Sequence, residues 1–169
     1  MATSGLSTLG ITFGYGIEST SGTKPATFNK LTRINAIGEV TIEAENIDSS
    51  ALEDYLTQYV AGRGTVSDTF TITVNLTSDT QAEWETLISA AATAKNSNLN
   101  VWFETIIPGL TKTTTGETPT STQQAIFVVA DPPTKIPAPA LDQNGLLTVE
   151  MNCTVKSYEG FSDAVAFAS

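Results

Sequence analysis

The sequence predicts a mainly β protein with one α-helix, arranged as a β-sandwich or partial barrel. Apolar and polar residues alternate from Phe70 to Leu76 and again from Leu147 to Val155, as expected for strands with one buried face. The 169 residues include 28 Thr, 12 Gly and 7 Pro spread along the chain, a composition that favours short strands and turns. Helical periodicity is clear in one segment only. We therefore expect a single domain over residues 1–169.

The N-terminal 27 residues are rich in Gly, Ser and Thr, and we predict an N-terminal arm over 1–27 that contains one short strand. Gly14-Tyr15-Gly16 matches the start of a dinucleotide-binding fingerprint. The third glycine and the following helix signal are missing, so this segment does not predict a nucleotide site.

An acidic segment follows the first predicted elements. A strand is predicted from Glu39 to Glu45, with Val40, Ile42 and Ala44 facing the core. Between Arg33 and Arg63 the chain has six carboxylates and no basic residue. Because apolar and acidic side chains are mixed here, we predict that this segment makes contacts, and that the contacts are with copies of the same chain.

One amphipathic helix is predicted over about residues 79–95. Its apolar residues recur at the spacing i, i+3, i+4 and i+7, which is typical of a helix lying on a sheet: Trp84, Leu87, Ile88 and Ala91. Ser78, followed three residues later by Gln81, is predicted to cap its N-terminus. Lys95 near its C-terminus complements the helix dipole.

Three further strands are predicted, over Val101–Ile107, Ala125–Ala130 and Leu146–Tyr158. The last of these places five residues on one apolar face: Leu147, Val149, Met151, Cys153 and Val155. Cys153 is therefore predicted to be a buried small apolar side chain and not a reactive thiol.

Two polar or poorly packed segments complete the predicted organisation. Residues 111–123 contain seven Thr and no apolar side chain, so we expect a surface loop or hairpin tip. Residues 159–169 form a predicted C-terminal arm that carries Phe161, Val165 and Phe167 and needs a surface on which to dock.

The composition excludes several kinds of chemistry. The sequence has no histidine and one cysteine, which removes histidine-based catalysis, most zinc sites and an intrachain disulfide. Its formal charge of −10 argues against tight binding to a phosphate backbone. Pairs of carboxylates could serve a glycosidase, but solvated strand faces explain them more simply. We predict a protein that is not an enzyme, with no catalytic residue, no metal site and no cofactor.

The sequence also lacks the common membrane and secretion signals. No segment reaches the roughly 20 apolar residues that a membrane-spanning helix needs. The N-terminal residues do not show the basic-then-apolar pattern of a signal peptide. We expect no membrane span and a chain that starts out soluble in the cytoplasm of the cell that makes it.

From about Phe28 to Tyr158, the order of elements resembles the tail tube protein, or major tail protein, of long non-contractile tailed bacteriophages. The resemblance rests on FNKLTRINAIGEVTIEAENID, on ALEDYLTQYVAGRG leading to SDTFTITVNL, on the helix TQAEWETLISAA, on VWFETIIPG, and on the pair AIFVVA and LLTVEMNCTVKSY. These are similarities of order and character. They do not constitute a strict motif.

The resemblance implies a structural protein whose copies close into hexameric rings. The rings would stack into a hollow tube through which double-stranded DNA passes without specific binding. Implied partners are other copies of the chain and other tail proteins, namely the tape measure, tail tip and terminator. The implied location is the virion tail, after assembly in the cytoplasm of the host bacterium. In that family, inner strands of neighbouring subunits pair edge to edge around the lumen.

The resemblance also assigns candidate residues. A loop corresponding to residues 47–66, together with both termini, would join subunits and rings. Candidate interface residues are Ile47, Asp48, Leu52, Glu53, Asp54, Tyr55, Tyr59, Phe161 and Phe167. Candidate lumen-facing residues are Glu39, Glu43, Glu45 and Glu150. Alternation gives each strand two faces and leaves open which face surrounds the axis.

Two other structural readings and one catalytic reading remain open from the sequence. A subunit of a bacterial secretion or contractile-injection tube would share the fold. A β-sandwich carbohydrate-binding module would need an aromatic platform for sugar rings, whereas Trp84 and Trp102 are predicted to lie on the helix face and in a buried strand. An enzyme is the weakest of the three.

Overall fold

The computed structural model describes residues 5–51, 56, 58–141, 143 and 145–168, which form an eight-stranded sheet, one α-helix and a separate two-stranded hairpin. The strands are β1 (Thr12–Ile17), β2 (Phe28–Leu31), β3 (Ile34–Ile37), β4 (Ile42–Asp48), β5 (Tyr59–Val66), β6 (Thr69–Asn75), β7 (Val101–Thr113), β8 (Ser121–Asp131), β9 (Thr148–Asp163) and β10 (Phe167–Ala168), and the helix is α1 (Ser78–Asn96). The predicted fold class, mainly β with a flanking helix, is confirmed.

The large sheet is curled. Its strand order is β10-β2-β1-β7-β8-β9-β6-β3, and all neighbours are antiparallel except the pair β10 and β2. β2 and β3 lie near opposite ends of this order, yet only Thr32 and Arg33 separate them in the chain. Three peptide units span at most about 11 Å. The sheet must therefore bend until its two ends approach each other, which gives it the shape of a partial barrel.

The main core fills the inside of this curl. Phe13 and Phe103 stack with ring centroids 5.5 Å apart, and Phe70 lies 6.2 Å from each of them. Trp84 and Leu87 of α1 are fully buried against the same cluster. The predicted helix face is thus confirmed, and the helix is fixed to the sheet by these two side chains.

The N-cap of the helix lies one residue before Ser78, the predicted cap. Thr77, with an extended backbone, is the N-cap, and its hydroxyl oxygen accepts from the backbone N–H of Thr80 at 3.2 Å. The Thr77 N–H donates to the Thr80 hydroxyl oxygen at 2.8 Å. This reciprocal pair is a capping box in which Thr replaces the usual Glu or Gln. The prediction of Ser78 and Gln81 as the capping pair is therefore wrong, because Gln81 instead donates to Glu85.

The predicted strand over residues 39–45 is shifted in the structure. β4 starts at Ile42 and continues to Asp48, into the segment predicted as a loop. Val40 packs against the core, but Ile42 is 61% exposed and Ala44 is exposed as well. The prediction that Ile42 and Ala44 face the core is wrong, because β4 pairs only with β5 in a separate sheet.

The other strands agree with the sequence in position and differ in length. β9 runs to Asp163, beyond the predicted end at Tyr158, because β8 pairs with it as far as that residue. On its predicted apolar face Val149, Met151 and Cys153 are buried. The threonine-rich segment forms the exposed tip of the β7–β8 hairpin.

The predicted N-terminal arm, 1–27, contains an interior strand of the sheet. β1 lies between β2 and β7, and its Phe13 and Tyr15 are buried. At the other end, residues 159–163 belong to β9, and β10 pairs with β2. The strands in both terminal segments therefore pair with strands of their own chain.

Replacing Phe103 by Ala is expected to lower the free energy of unfolding by about 3–5 kcal/mol, because the side chain is fully buried in the aromatic cluster. Denaturant unfolding of the dilute protein measures this as a lower midpoint with an unchanged slope. The matched control is Thr93→Ala on the exposed side of α1, expected to change stability by about 0.5 kcal/mol or less. Equal effects of the two changes would contradict the assignment of the core.

Candidate assembly surface

Hydrogen bonds close the base of the β4–β5 hairpin and hold it to the body. The Val155 N–H of β9 donates to the carbonyl of Asp68, the residue after Ser67, at 2.9 Å. The Ser67 N–H donates to the Thr41 carbonyl at 2.9 Å, and the Thr41 N–H donates to the Ser67 hydroxyl at 3.2 Å. Beyond this clasp the two strands pair with each other and with no strand of the large sheet. The hairpin therefore has a fixed root and two faces that the described part of the chain leaves open.

Both faces of the hairpin carry apolar side chains. Ile42 lies opposite Val66 in the ladder and Ile47 lies opposite Val60, with exposed fractions of 61%, 36%, 54% and 52%. The ladder is irregular between Ala44 and Asn46, where β5 has one extra residue and β4 has none. Alternation therefore continues along β4 and places Ile42 and Ile47 on opposite faces. An isolated two-stranded hairpin is marginally stable in water. Two apolar pairs on this hairpin are therefore exposed to solvent in the single chain.

The same hairpin carries exposed carboxylates. Glu43, Glu45 and Asp48 are all exposed on β4. The Asp48 carboxylate accepts from the Ser50 backbone N–H at 2.9 Å, and hydrogen bonds from Ser50 lower the pKa of Asp48 below its ordinary value. The hairpin therefore presents a negative charge beside its apolar pairs.

The structure describes only some of the predicted interface residues of this segment. Leu52, Glu53, Asp54 and Tyr55 fall outside the described residues. Tyr59 is the first residue of β5. Ile47 and Asp48, at the end of β4, are the predicted interface residues whose exposed side chains the structure places on the hairpin.

The predicted lumen-facing carboxylates fall in different places. Glu150 is exposed on β9 of the large sheet, between Asn152 and Thr148 on the polar face. On that face the Thr71 hydroxyl donates to the Asn152 side-chain oxygen at 2.9 Å. Glu39 is exposed in the link between β3 and β4, whereas Glu43 and Glu45 belong to the hairpin. The structure thus separates Glu150 from the hairpin carboxylates.

The two predicted aromatic interface residues of the C-terminal arm differ in their exposure to solvent. Phe161 on β9 is 58% exposed. Phe167 on β10 is half-buried and packs on a second apolar cluster formed by Phe28, Trp102 and Phe127. Gly14 leaves the room for this contact, since a Cβ at that position would overlap the Phe167 ring. Phe161 is therefore available at the surface, and Phe167 is occupied within its own chain.

A buried polar group holds the C-terminal segment in place. The Glu104 carboxylate is fully buried, and one of its oxygens accepts from the Val165 backbone N–H at 2.7 Å. Its other oxygen has no hydrogen-bond partner among the described residues. Burial raises the pKa of Glu104 above its ordinary value, and the Val165 hydrogen bond and the Lys24 charge oppose this only in part. Through this hydrogen bond, Glu104 holds the segment that follows β9 against the sheet.

Lys24 closes the same cluster from outside. Its ammonium lies 3.5 Å from the centre of the Phe127 ring and donates to the Ser162 hydroxyl at 3.1 Å. Burial lowers the pKa of Lys24, while Glu104 and Asp163 act to raise it. Neither Glu104 nor Lys24 was among the functional residues predicted from the sequence. The signal was available for Glu104, a carboxylate within the apolar strand Val101–Ile107.

Metal-ligating groups and the single cysteine are the features of the described residues that bear on metal binding and thiol chemistry. No group of three or more metal-ligating side chains is found among them. Cys153 is buried as predicted, and burial raises the pKa of its thiol to about 12, so the thiol stays protonated near neutral pH. Across the described part of the chain, no helix is both long and apolar enough to cross a membrane.

The tryptophans do not form a sugar-binding platform. Trp84 is fully buried and Trp102 is 7% exposed. The Trp102 indole N–H donates to the buried carboxylate of Glu18 at 3.1 Å. Both rings are therefore committed to the interior, as the sequence predicted.

No protein-family model and no curated protein matches the chain. Among solved structures, it is similar to a chain in the cryo-EM structure of the anti-feeding prophage baseplate, with 10% sequence identity, a TM-score of 0.48 and 96% of each chain covered. It is also similar to a chain in the tail of an empty GTA particle, with 16% identity and a TM-score of 0.41, covering 94% of this chain and 96% of that one. At these values the likenesses assign no function to this chain.

Replacing Glu104 by Gln is expected to change how stability depends on pH. The pKa of Glu104 is raised above its ordinary value of 4.5 in the folded chain. Its contribution to stability is therefore fully present below that value and is lost as pH rises through the raised pKa. The variant, which does not titrate, should lose less stability than the wild type as pH rises toward neutrality.

Denaturant unfolding at a series of pH values measures this difference. Glu85→Gln on the exposed side of α1 is the matched control and should follow the wild-type profile. In the contrary outcome, the free energy of unfolding of Glu104→Gln and that of the wild type differ by the same amount at every pH. That result would rule out titration of the buried Glu104 carboxyl as the cause of the difference.

Proposed function

We propose that this chain is a structural subunit of a phage-type tail tube. Six copies close into a ring, and rings stack into a hollow, acidic-walled conduit for double-stranded DNA. The observation that carries the proposal is the β4–β5 hairpin, which stands apart from the large sheet with apolar pairs exposed on both faces. The resemblance of the sequence to tail tube proteins, in which this segment joins subunits, supports the same role.

The charge of the chain suits such a conduit. The formal charge is −10, so six copies would carry about −60 in total. Duplex DNA carries about one negative charge per 1.7 Å of its axis, and a wall of the same sign repels it. The polar face of β6 and β9, which includes Glu150, is the part of the large sheet that we assign to the lumen.

The proposed role has consequences for partners and location. The principal partner is the chain itself, and the tape measure, tail tip and terminator proteins would meet the tube at its ends. Assembly would take place in the host bacterial cytoplasm, and the product would be the virion tail. DNA passes through without a specific site, and no catalysis is involved.

The double change Ile47→Ser with Val60→Ser is expected to abolish assembly and leave a folded monomer. These two side chains lie opposite each other and are more than half exposed, so the folded chain needs neither of them for its core. Sedimentation over a range of protein concentrations measures assembly, and circular dichroism measures folding.

The matched control is Leu141→Ser with Leu146→Ser, which removes two leucines that are 80% and 71% exposed on another part of the body. The control should assemble as the wild type does. Normal assembly of the hairpin variant would rule out the hairpin as the joining surface, and loss of its fold would show that the hairpin is part of the core.

The change Glu150→Lys is expected to leave tube assembly intact and to make the tubes retain DNA at low salt. The new ammonium groups would line the wall and bind phosphates through release of counterions. Co-sedimentation of tubes with linear duplex DNA measures retention. Glu85→Lys makes the same change of charge on the exposed side of α1 and should retain less DNA. Equal retention by the two variants would contradict the assignment of Glu150 to the lumen.

A further inference from the structure

A groove lies where the two ends of the curled sheet approach each other. We call it the seam groove. It is lined by residues 7–13, which lead into and begin β1, and by residues 30–37, which run from β2 through β3, and its volume is about 960 Å³. None of the lining residues comes from the β4–β5 hairpin of the same chain. The groove is therefore a feature of the body, separate from the exposed hairpin.

One wall of the seam groove is an unpaired strand edge. β3 is the last strand of the sheet and pairs with β6 alone among the described strands. Its backbone groups on the other side are free to pair with an added strand, which is a common mode of protein recognition. Asn35 and Ala36 are exposed on β3, while Ile34 and Ile37 pack against the core. β3 is thus fixed by β6 along one edge, and its other edge is open among the described strands.

The seam groove is positively charged in a strongly acidic protein. Its charged lining residues are Lys30 and Arg33, and the lining contains no Asp or Glu. The whole chain has only eight basic residues against 18 acidic ones. A groove that gathers two of the eight, without a carboxylate in its lining, favours an acidic occupant.

Arg33 is held in an unusual backbone conformation at this place. Its φ of 55° lies in the left-handed region, which costs free energy for a residue with a side chain. The Arg33 carbonyl accepts from the Asn75 N–H at 3.0 Å. Beside it, the Thr32 N–H and hydroxyl donate to the Glu83 carboxylate at 3.2 Å and 2.9 Å. These contacts from β6 and α1 fix the linker that carries Arg33 into the groove.

We infer that the seam groove is the docking site for the β4–β5 hairpin of a second copy of this chain. The inference rests on the proposed self-assembly and names the surface that receives the hairpin. The hairpin is acidic, apolar on both faces and formed of strands, and the groove is basic, partly apolar and bounded by an open strand edge. Backbone pairing along β3 would set the register, and Glu43 and Glu45, which share one face of β4, would meet Lys30 and Arg33.

Trans cross-linking tests the contact directly. One variant carries Asn35→Cys on β3 and another carries Glu45→Cys on β4, both at exposed positions. The native Cys153 is buried and does not compete. After mixing and mild oxidation, a mass tag on one variant identifies the mixed dimer. We expect several-fold more of it than from the matched control, in which Thr93→Cys on α1 replaces Asn35→Cys. A yield equal to the control would overturn the inference.

Charge exchange tests the complementarity. Lys30→Glu with Arg33→Glu should abolish assembly. Adding Glu43→Lys and Glu45→Lys in the same chain should restore at least part of it, measured by sedimentation. Lys95→Glu with Lys112→Glu makes an equal change of charge at exposed positions elsewhere and should leave assembly largely intact. If the groove variant assembles normally, or the exchange restores nothing, the inference fails.

These outcomes separate the inference from the proposal on which it rests. If the wild type assembles and the hairpin changes block assembly, but the cross-link stays at the control level, the hairpin joins subunits at another surface. If the wild type remains a monomer at every concentration, both the proposed function and the inference fail. Binding of an unrelated acidic peptide to the groove, without cross-linking between copies, would also overturn it.

Discussion

The two-residue link between β2 and β3 is the constraint on which the architecture depends. Because Thr32 and Arg33 must bridge strands near opposite ends of the sheet order, the sheet has to curl. The curl creates an inner face deep enough to hold Phe13, Phe103 and the buried side of α1. It also brings the edge of β3 beside the start of β1, so that one connection produces both the core and the seam groove.

The described residues that form the body do not cover the β4–β5 hairpin. A strand pair has two faces, and a core can cover only one of them unless a second layer is present. Among the described residues, neither a core nor a second layer covers the β4–β5 hairpin, although its Ile47 and Val60 are apolar. Unpaired edges and exposed apolar strands promote uncontrolled aggregation. A closed ring of identical subunits is a solution in which each hairpin and each open edge finds a defined partner.

Local patterns in the sequence were enough to predict much of the fold. The α1 stripe and the alternation in β6 and β9 depend on neighbouring residues, so Trp84 and Met151 were placed correctly in the core. Alternation alone could not show that Ile42 is exposed, because the pattern of a strand does not reveal whether a second layer covers it. Nor could it place Phe167 on its own chain, since that contact joins β10 to a strand more than a hundred residues away.

The mixed composition of the β4–β5 hairpin could be read from the sequence, and its form could not. The acidic and apolar composition of residues 39–59 pointed to a contact segment, but its hairpin geometry, the separation of Glu150 from Glu43, and the basic groove depend on long-range pairing.

Negative-stain electron microscopy of the purified full chain over a range of concentrations tests the central claim most directly. The account predicts hollow rings with six-fold class averages that stack into tubes as concentration rises. A folded protein that remains a monomer at every concentration would contradict it.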